Sequence, residues 1–424
     1  MMWQYKYSSA ILASLIFTFA PTLALEINSV RISSSAVAQT TPNRRDEADR
    51  LLQESIQQLR QGRFREALET LQKILAIRRE IGDKAGEGVT LTGIGLVYNN
   101  LGQYPKALEY DQQALAIHKQ VGDSSGVGTT LNNIGEVYNN LGQYPKALEY
   151  FQQALAISKE LGNRSGEGGT LNNIGAVYRN LRQYPKALEY FQQALAIVKE
   201  VGNRPGEGIT LNNIGLVYVS LRQYPKALEY YQQALAIHKQ VGNRSEEGTT
   251  LNNIGGVYDN LGQYPKALEY YQQALAISKE VGDRSGEGTT LNNIGEVYRN
   301  LGQYPKALEY YQQALAIHKQ VGNRPMEGTT LSNIGSVYVS LGQYPKALEY
   351  YQQALAIHKQ VGDRPGEGIT LNNIGAVYRN LRQYPKALEY YQQALAIRKE
   401  LGDSSGIRTT LDNIRALQEA QKQP

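Results

Sequence analysis

Along most of the chain, apolar positions follow a helical period and not the alternation of a strand. Leu131, Ile134, Gly135, Tyr138 and Leu141 fall at i, i+3, i+4, i+7 and i+10, one stripe of a helix. Thr129, Asn132, Asn133, Glu136, Asn139 and Asn140 lie opposite that stripe at about 100° per residue. A second stripe starts after Gly142. Pro145 pre-sets the backbone at a first helical position, and Ala147, Leu148, Phe151, Ala154 and Leu155 line one face. This helix is expected to end near Leu161, with Gly162 as C-terminal cap and Asn163 capping the helix that follows. Lys159 in a last turn and Glu167 in a first turn sit where the helix dipole favours them. The pattern predicts two helices joined by short loops.

That pair is repeated along the chain. The block Tyr-Pro-Lys-Ala-Leu-Glu-Tyr begins at Tyr104, Tyr144, Tyr184, Tyr224, Tyr264, Tyr304, Tyr344 and Tyr384, spaced by 40 residues without insertion or deletion. A fixed period of this size signals a solenoid or a propeller. Strand formers are scarce, while Leu, Ala, Gln, Glu and Lys dominate each unit, so the helical solenoid is favoured. A single hairpin cannot bury both its apolar faces. Stacked neighbours bury them together.

The motif Leu131-x-x-Ile-Gly-x-x-Tyr138, followed by Ala147, Phe151 and Ala154, resembles the tetratricopeptide repeat over residues 46–421. The resemblance implies an all-α, right-handed superhelical α-solenoid in which Gly135, Ala147 and Ala154 let paired helices approach closely. The unit is longer than the family's usual one and has Lys159 where a proline commonly ends the second helix. It is thus similar to the extended repeats of kinesin light chain, of spindle-orientation adaptors and of bacterial repeat arrays.

The expected boundaries are a degenerate repeat at 46–86, eight regular repeats over 87–403, and a capping helix at 404–421. In the first unit Ser55 replaces the packing glycine and Gln58 the following aromatic; in the last, Arg415 and Gln418 do so. Terminal units of an array are expected to be atypical. Ahead of the repeats, Lys6 precedes an apolar run over 10–20, and small residues flank Leu23 (Thr22, Ala24) and Val37 (Ala36, Ala38). These features predict a secretory signal peptide over 1–38, or one cleaved after Ala24, followed by a flexible linker at 39–45. The alternative is an uncleaved membrane anchor, against which the run is shorter than the roughly 20 residues of a spanning helix. The mature chain is expected to be periplasmic or secreted and without a stable membrane span.

Composition narrows the chemistry. No cysteine is present among 424 residues, which excludes disulfides, thiol nucleophiles and thiolate metal sites. A net charge of +5 without clustering gives no electrostatic footprint for nucleic acid. The excess of 31 Tyr over 5 Phe reflects one template copied many times. His118, His238, His318 and His358 share one repeat position, a whole repeat apart, too far for ligands that need bonds of about 2 Å to one metal. Gly126-x-Gly128 and Gly166-x-Gly168 lack the preceding strand and the Lys-Ser/Thr ending of a phosphate loop, so flexibility at a helix start explains them better. Glu149 beside Lys146 reads as a solvated face with i, i+3 pairing. The sequence holds no constellation for catalysis and points to no cofactor or metal.

The polar side of the first helix carries more information. By the family resemblance this helix lines the concave surface. There Asn133 recurs as Asn173, Asn213, Asn253, Asn293, Asn333, Asn373 and Asn413, while two neighbouring positions vary. One runs Leu96, Glu136, Ala176, Leu216, Gly256, Glu296, Ser336, Ala376; the other Asn99, Asn139, Arg179, Val219, Asp259, Arg299, Val339, Arg379. An amide offers both donor and acceptor, so the row is expected to hold an extended peptide backbone. Glu136, Arg179, Asp259, Glu296, Arg299 and Arg379 would then select side chains, the arginines favouring acidic ones. The competing reading is that the asparagines brace neighbouring helices. The basic clamp by which similar chaperone-binding repeats hold a C-terminal carboxylate is replaced by Thr and Asn. The expected function is a non-enzymatic scaffold binding a protein or peptide segment; the alternative is a structural spacer or assembly module without a groove ligand.

Overall fold

The computed structural model describes residues 41–422. Among these, the odd-numbered helices are α1 (Thr41–Arg60), α3 (Lys84–Asn100), α5 (Ser124–Asn140), α7 (Arg164–Asn180) and α9 (Arg204–Ser220), then α11 (Arg244–Asn260), α13 (Arg284–Asn300), α15 (Arg324–Ser340), α17 (Arg364–Asn380) and α19 (Ser404–Lys422). The even-numbered ones are α2 (Phe64–Glu80), α4 (Tyr104–Val121), α6 (Tyr144–Glu160), α8 (Tyr184–Glu200), α10 (Tyr224–Gln240), α12 (Tyr264–Val281), α14 (Tyr304–Val321), α16 (Tyr344–Val361) and α18 (Tyr384–Glu400). They form nine antiparallel pairs and one closing helix. Because α1 starts at Thr41, residues 41–45 are helical and not the flexible linker expected from the sequence; Arg44 bonds Glu80 at 2.5 Å and Glu47 at 2.9 Å. The signal peptide expected over 1–38 lies outside the described residues.

Each loop between repeats ends one helix and starts the next by the same device. Gly162 adopts φ 64°, the left-handed region that costs glycine least, and Asn163 Oδ1 accepts from the Gly166 N–H at 2.8 Å. That capping bond explains part of the Gly-x-Gly element. The other part is space: a Cβ on Gly126 would stand 2.2 Å from His118 Nδ1. Arg182, Arg222 and Arg382 hold the equivalent left-handed turn between paired helices with φ near 60°, a conformation that costs L-residues on the order of 1 kcal/mol or more.

Within a repeat, Ala147 and Phe151 are buried with Ile174 and Val177 of the next unit, and Tyr138, Leu148 and Leu155 pack around them. A Cβ on Gly135 would lie 2.7 Å from the Phe151 ring, so glycine is what allows these helices to approach. On the outer rim, Tyr138 stacks on Tyr150 with ring centroids 5.4 Å apart, and the same stack recurs in all eight regular repeats. Lys146 does not pair with Glu149 as expected; its Nζ lies over the Tyr138 ring, 5.1 Å from the centroid, a cation–π contact.

From α3 onward, the backbones of consecutive odd helices approach one another more closely than those of consecutive even helices. The odd helices therefore line the inside of the curve. The coil closes on itself after five and a half repeats, so that chain segments 221 positions apart meet. Leu101 packs on Gly322 and Leu141 on Gly362, and the Arg182 guanidinium lies 3.9 Å from the Asp403 carboxylate. Repeats thus contact more than their sequence neighbours, and one superhelical turn rests on the next.

Candidate ligand groove

The inner wall is built from the polar sides of the odd helices, and most of it is spoken for by hydrogen bonds between them. Asn213 Nδ2 donates to Asn172 Oδ1 at 3.0 Å; Asn253, Asn293 and Asn333 donate to Asn212, Asn252 and Asn292, each at 3.1 Å. A second row lies toward the helix C-termini, where Asn140 donates to Asn99 and Asn180 to Asn139, both at 3.0 Å, and Asn300 to Asp259 at 3.2 Å. Asn132 donates to Thr170 at 3.0 Å. Amides that span the seam between adjacent helices act as braces. Of the asparagines expected to hold a peptide backbone, Asn213, Asn253 and Asn293 are buried and each engages one amide donor in such a brace. Asn133 and Asn173 are also buried, each with an amide nitrogen lacking a partner among the described residues, while Asn333 and Asn373 are half-buried.

The variable stripe behaves differently at each copy. Arg299 is neutralised by Glu296 one turn earlier, Nη2 to Oε1 at 2.9 Å. Asp259 is taken up by Asn300. Arg179 is 5% exposed, touches Asn180 Oδ1 at 3.4 Å, and pairs with no carboxylate among the described residues. Its Nε and Nη1 have no hydrogen-bond partner there. Burial pulls its pKa down from the ordinary arginine value, against an opposing effect of the nearby Tyr231, Tyr144 and Tyr184. An uncompensated buried cation is costly unless paired. Arg379 is half-exposed beside Ala376 and makes no ion pair among the described residues.

One site escaped the sequence reading. Asp111 occupies the position of Phe151, Phe191 and the Tyr231-type residues, fully buried, with neither carboxylate oxygen bonded among the described residues. Burial, then the nearby Glu136 charge, pushes its pKa well above the ordinary value, and burial lifts Glu136 to about 7. Comparing copies position by position would have found it, since Asp111 is the one carboxylate in a column of aromatic rings. The four histidines are buried under inner-helix glycines; a Cβ on Gly208 would stand 2.5 Å from His238 Cε1. Among the described residues no group of three or more potential ligands is arranged to hold a metal, and no helix is long and apolar enough to cross a membrane.

The profile of the tetratricopeptide repeat matches residues 56–120, 86–160, 166–240, 246–320 and 326–400, nearly the whole array. The chain belongs to the tetratricopeptide repeat family. Among curated proteins, none matches this tetratricopeptide repeat chain by sequence. Among solved structures it is similar to a Rap protein complexed with competence and sporulation factor, at 16% identity and TM-score 0.58, covering 84% of this chain and 99% of that one. It is similar also to aspartyl phosphate phosphatase F from Bacillus subtilis, at 17% identity and TM-score 0.51, covering 87% and 96%. A putative kinesin light chain from Podosopora anserina with nearly identical TPR-like repeats has 21% identity and TM-score 0.38, covering 47% and 98%. At these identities the likeness is one of fold. The tetratricopeptide solenoid explains both the helical hairpin unit and the inward placement of the odd helices.

Proposed function

We propose that this tetratricopeptide repeat protein is a non-enzymatic scaffold whose inner groove takes an acidic segment of a partner protein. The observation that carries the reading is Arg179, a buried guanidinium on the inner wall with two unpartnered nitrogens and no counter-ion among the described residues. A carboxylate or other anion docking there relieves the cost of burying the charge and gains charge-assisted hydrogen bonds. Arg379 offers a second cation five repeats further on, while Arg299 contributes little because Glu296 already holds it. The Rap protein, whose structure is a complex with competence and sporulation factor, lends support as a fold in which such a solenoid engages another molecule.

The test is to titrate the full array with labelled acidic peptides and their charge-reversed counterparts, comparing wild type with Arg179→Met. We expect affinity for acidic peptides to fall by roughly tenfold or more, about 1.4 kcal/mol. The empty variant should melt no lower than wild type, since an uncompensated charge is replaced by an apolar side chain of similar length. Equal affinity in wild type, Arg179→Met and Arg379→Met would overturn the groove reading and leave the spacer. We also infer export of the chain through residues 1–38. N-terminal sequencing of native protein should begin at Gln39, and an intact Met1 refutes it.

A further inference from the structure

The contact between successive turns is made by two short loop sequences, and both recur unpaired elsewhere in the same chain. Within the molecule, the Leu101-Gly-Gln-Tyr-Pro105 loop packs on the Val321-Gly-Asn-Arg-Pro325 loop. Leu101 is 2% exposed, Val321 6%, and Pro325 sits so close that a Cβ on Gly102 would lie 2.4 Å from its Cδ. The Leu141 loop meets the Val361 loop in the same way. On the last turn, the loops at 261–265, 301–305 and 341–345 have the identical sequence Leu-Gly-Gln-Tyr-Pro. There nothing packs on Gly262, Gly302 or Gly342, and Leu261, Leu301 and Leu341 stand 41, 40 and 39% exposed. On the first turn, Val201-Gly-Asn-Arg-Pro205 is identical to the buried 321–325 loop. Val201 is 41% exposed, Leu161 48% and Val241 37%, again with open space over Gly162, Gly202 and Gly242.

One edge of the superhelix therefore displays the leucine loops, and the opposite edge displays the loops that bury them. Scattered exposed leucines on a monomer need no explanation. Here, however, the same loop sequences are shown to be complementary by the contact they make inside the chain. We propose that a second copy of this chain docks edge to edge, the Leu261/Leu301/Leu341 edge of one molecule on the Leu161/Val201/Val241 edge of the next, continuing the contact between turns across molecules. The two edges are different surfaces, so the interface is heterologous. Each added copy presents a fresh edge, and association does not close at a dimer. This assembly is independent of any groove ligand, since the loops lie on the rims and not on the inner wall.

The experiment uses sedimentation velocity and light scattering on the full array over a wide concentration range. Wild type should show an average mass that rises past the dimer with concentration. Two variants each block one edge: Leu261→Glu, Leu301→Glu and Leu341→Glu together, or Leu161→Glu, Val201→Glu and Val241→Glu together. Each variant alone should stay at monomer mass while melting as wild type, because all six positions are exposed. Mixed in equal amounts, the two should double in mass and stop, since only one pair of intact edges remains. A wild type that stays monomeric at every concentration overturns the proposal and leaves the edges to another occupant or to solvent. So does a mixture that stays monomeric, or self-association that either variant retains.

Discussion

Asn213 reaches back from α9 to α7 and donates its Nδ2 to the Oδ1 of Asn172, 3.0 Å away and buried. The same step of 41 positions joins Asn253 to Asn212 and Asn293 to Asn252. Changing Asn213, Asn253 and Asn293 together to Ala removes three such braces and leaves three buried carbonyl acceptors unpaired. Each loss should cost on the order of 1 kcal/mol, so the triple variant should melt well below wild type in a thermal scan by circular dichroism. Affinity of the folded triple variant for acidic peptides should change less than that of Arg179→Met. The reverse order of effects would mean that the amides, not the arginine, hold the ligand.

Packing between paired helices predicts a second effect. A Cβ on Gly255 would stand 2.8 Å from the Tyr271 ring, so Gly255→Leu forces a branched side chain into a closed seam. We expect a loss of about 1–3 kcal/mol or more in denaturant unfolding. Gly302→Ala, in a loop with open space but a left-handed backbone at φ 72°, should cost about 1 kcal/mol through backbone strain alone.

Burial holds the His238 pKa down to about 4 and that of His318 to about 3, against an ordinary value near 6.5. Below pH 6.5 the unfolded chain takes up protons that the folded one refuses. Stability contributed by each neutral histidine is therefore present above that pH and lost as pH falls toward the folded pKa, by about 1.4 kcal/mol per unit for each. His238→Ser, which copies Ser158 and Ser278, should flatten the fall of the melting midpoint between pH 6.5 and 4. Glu136 runs the other way. Its pKa, raised to about 7, means that stability is lost as pH rises from the unfolded value, about 4.3, toward 7, so Glu136→Gln should raise the midpoint at pH 8 and leave it little changed at pH 4. Because the two effects oppose each other between about pH 4.3 and 6.5, each variant is compared with wild type: a His238→Ser profile parallel to that of wild type would contradict the histidine assignment, and a Glu136→Gln profile parallel to it would contradict the Glu136 assignment.

Removing one interior repeat, residues 207–246, joins equivalent positions and keeps the register of stacking. Because turns touch at a separation of 221 positions, the deletion also moves each contact along by one repeat. Leu101 then faces the Gly362 loop, whose sequence differs from the Gly322 loop only at Asp363. We expect a cooperatively folding helical protein with one fewer loop pair between turns and a modestly lower melting midpoint. Loss of cooperative unfolding would show that stability resides in the closure between turns and not in neighbour stacking.

The helices, their caps and the repeat were legible in the sequence because local rules decide them. Pro145, Gly162 and Asn163 punctuate each hairpin through backbone geometry and capping, and the spacing of Leu131, Ile134 and Tyr138 defines a face without reference to any other part of the chain. Gly135 against Phe151 was also readable, since a small residue opposite a ring recurs in every unit. What no local pattern contained was where one turn meets the next. Leu101 and Leu301 sit in identical pentapeptides, yet one is buried and the other exposed, because only the rise and curvature accumulated over five and a half repeats bring a loop over Leu101. The same limit applied on the inner wall: Asn213 looked like a free amide until the approach of neighbouring helices gave it Asn172. Arg179 and Arg299 occupy the same repeat position, but Glu296 pairs with Arg299, whereas Arg179 is buried without a counter-ion among the described residues.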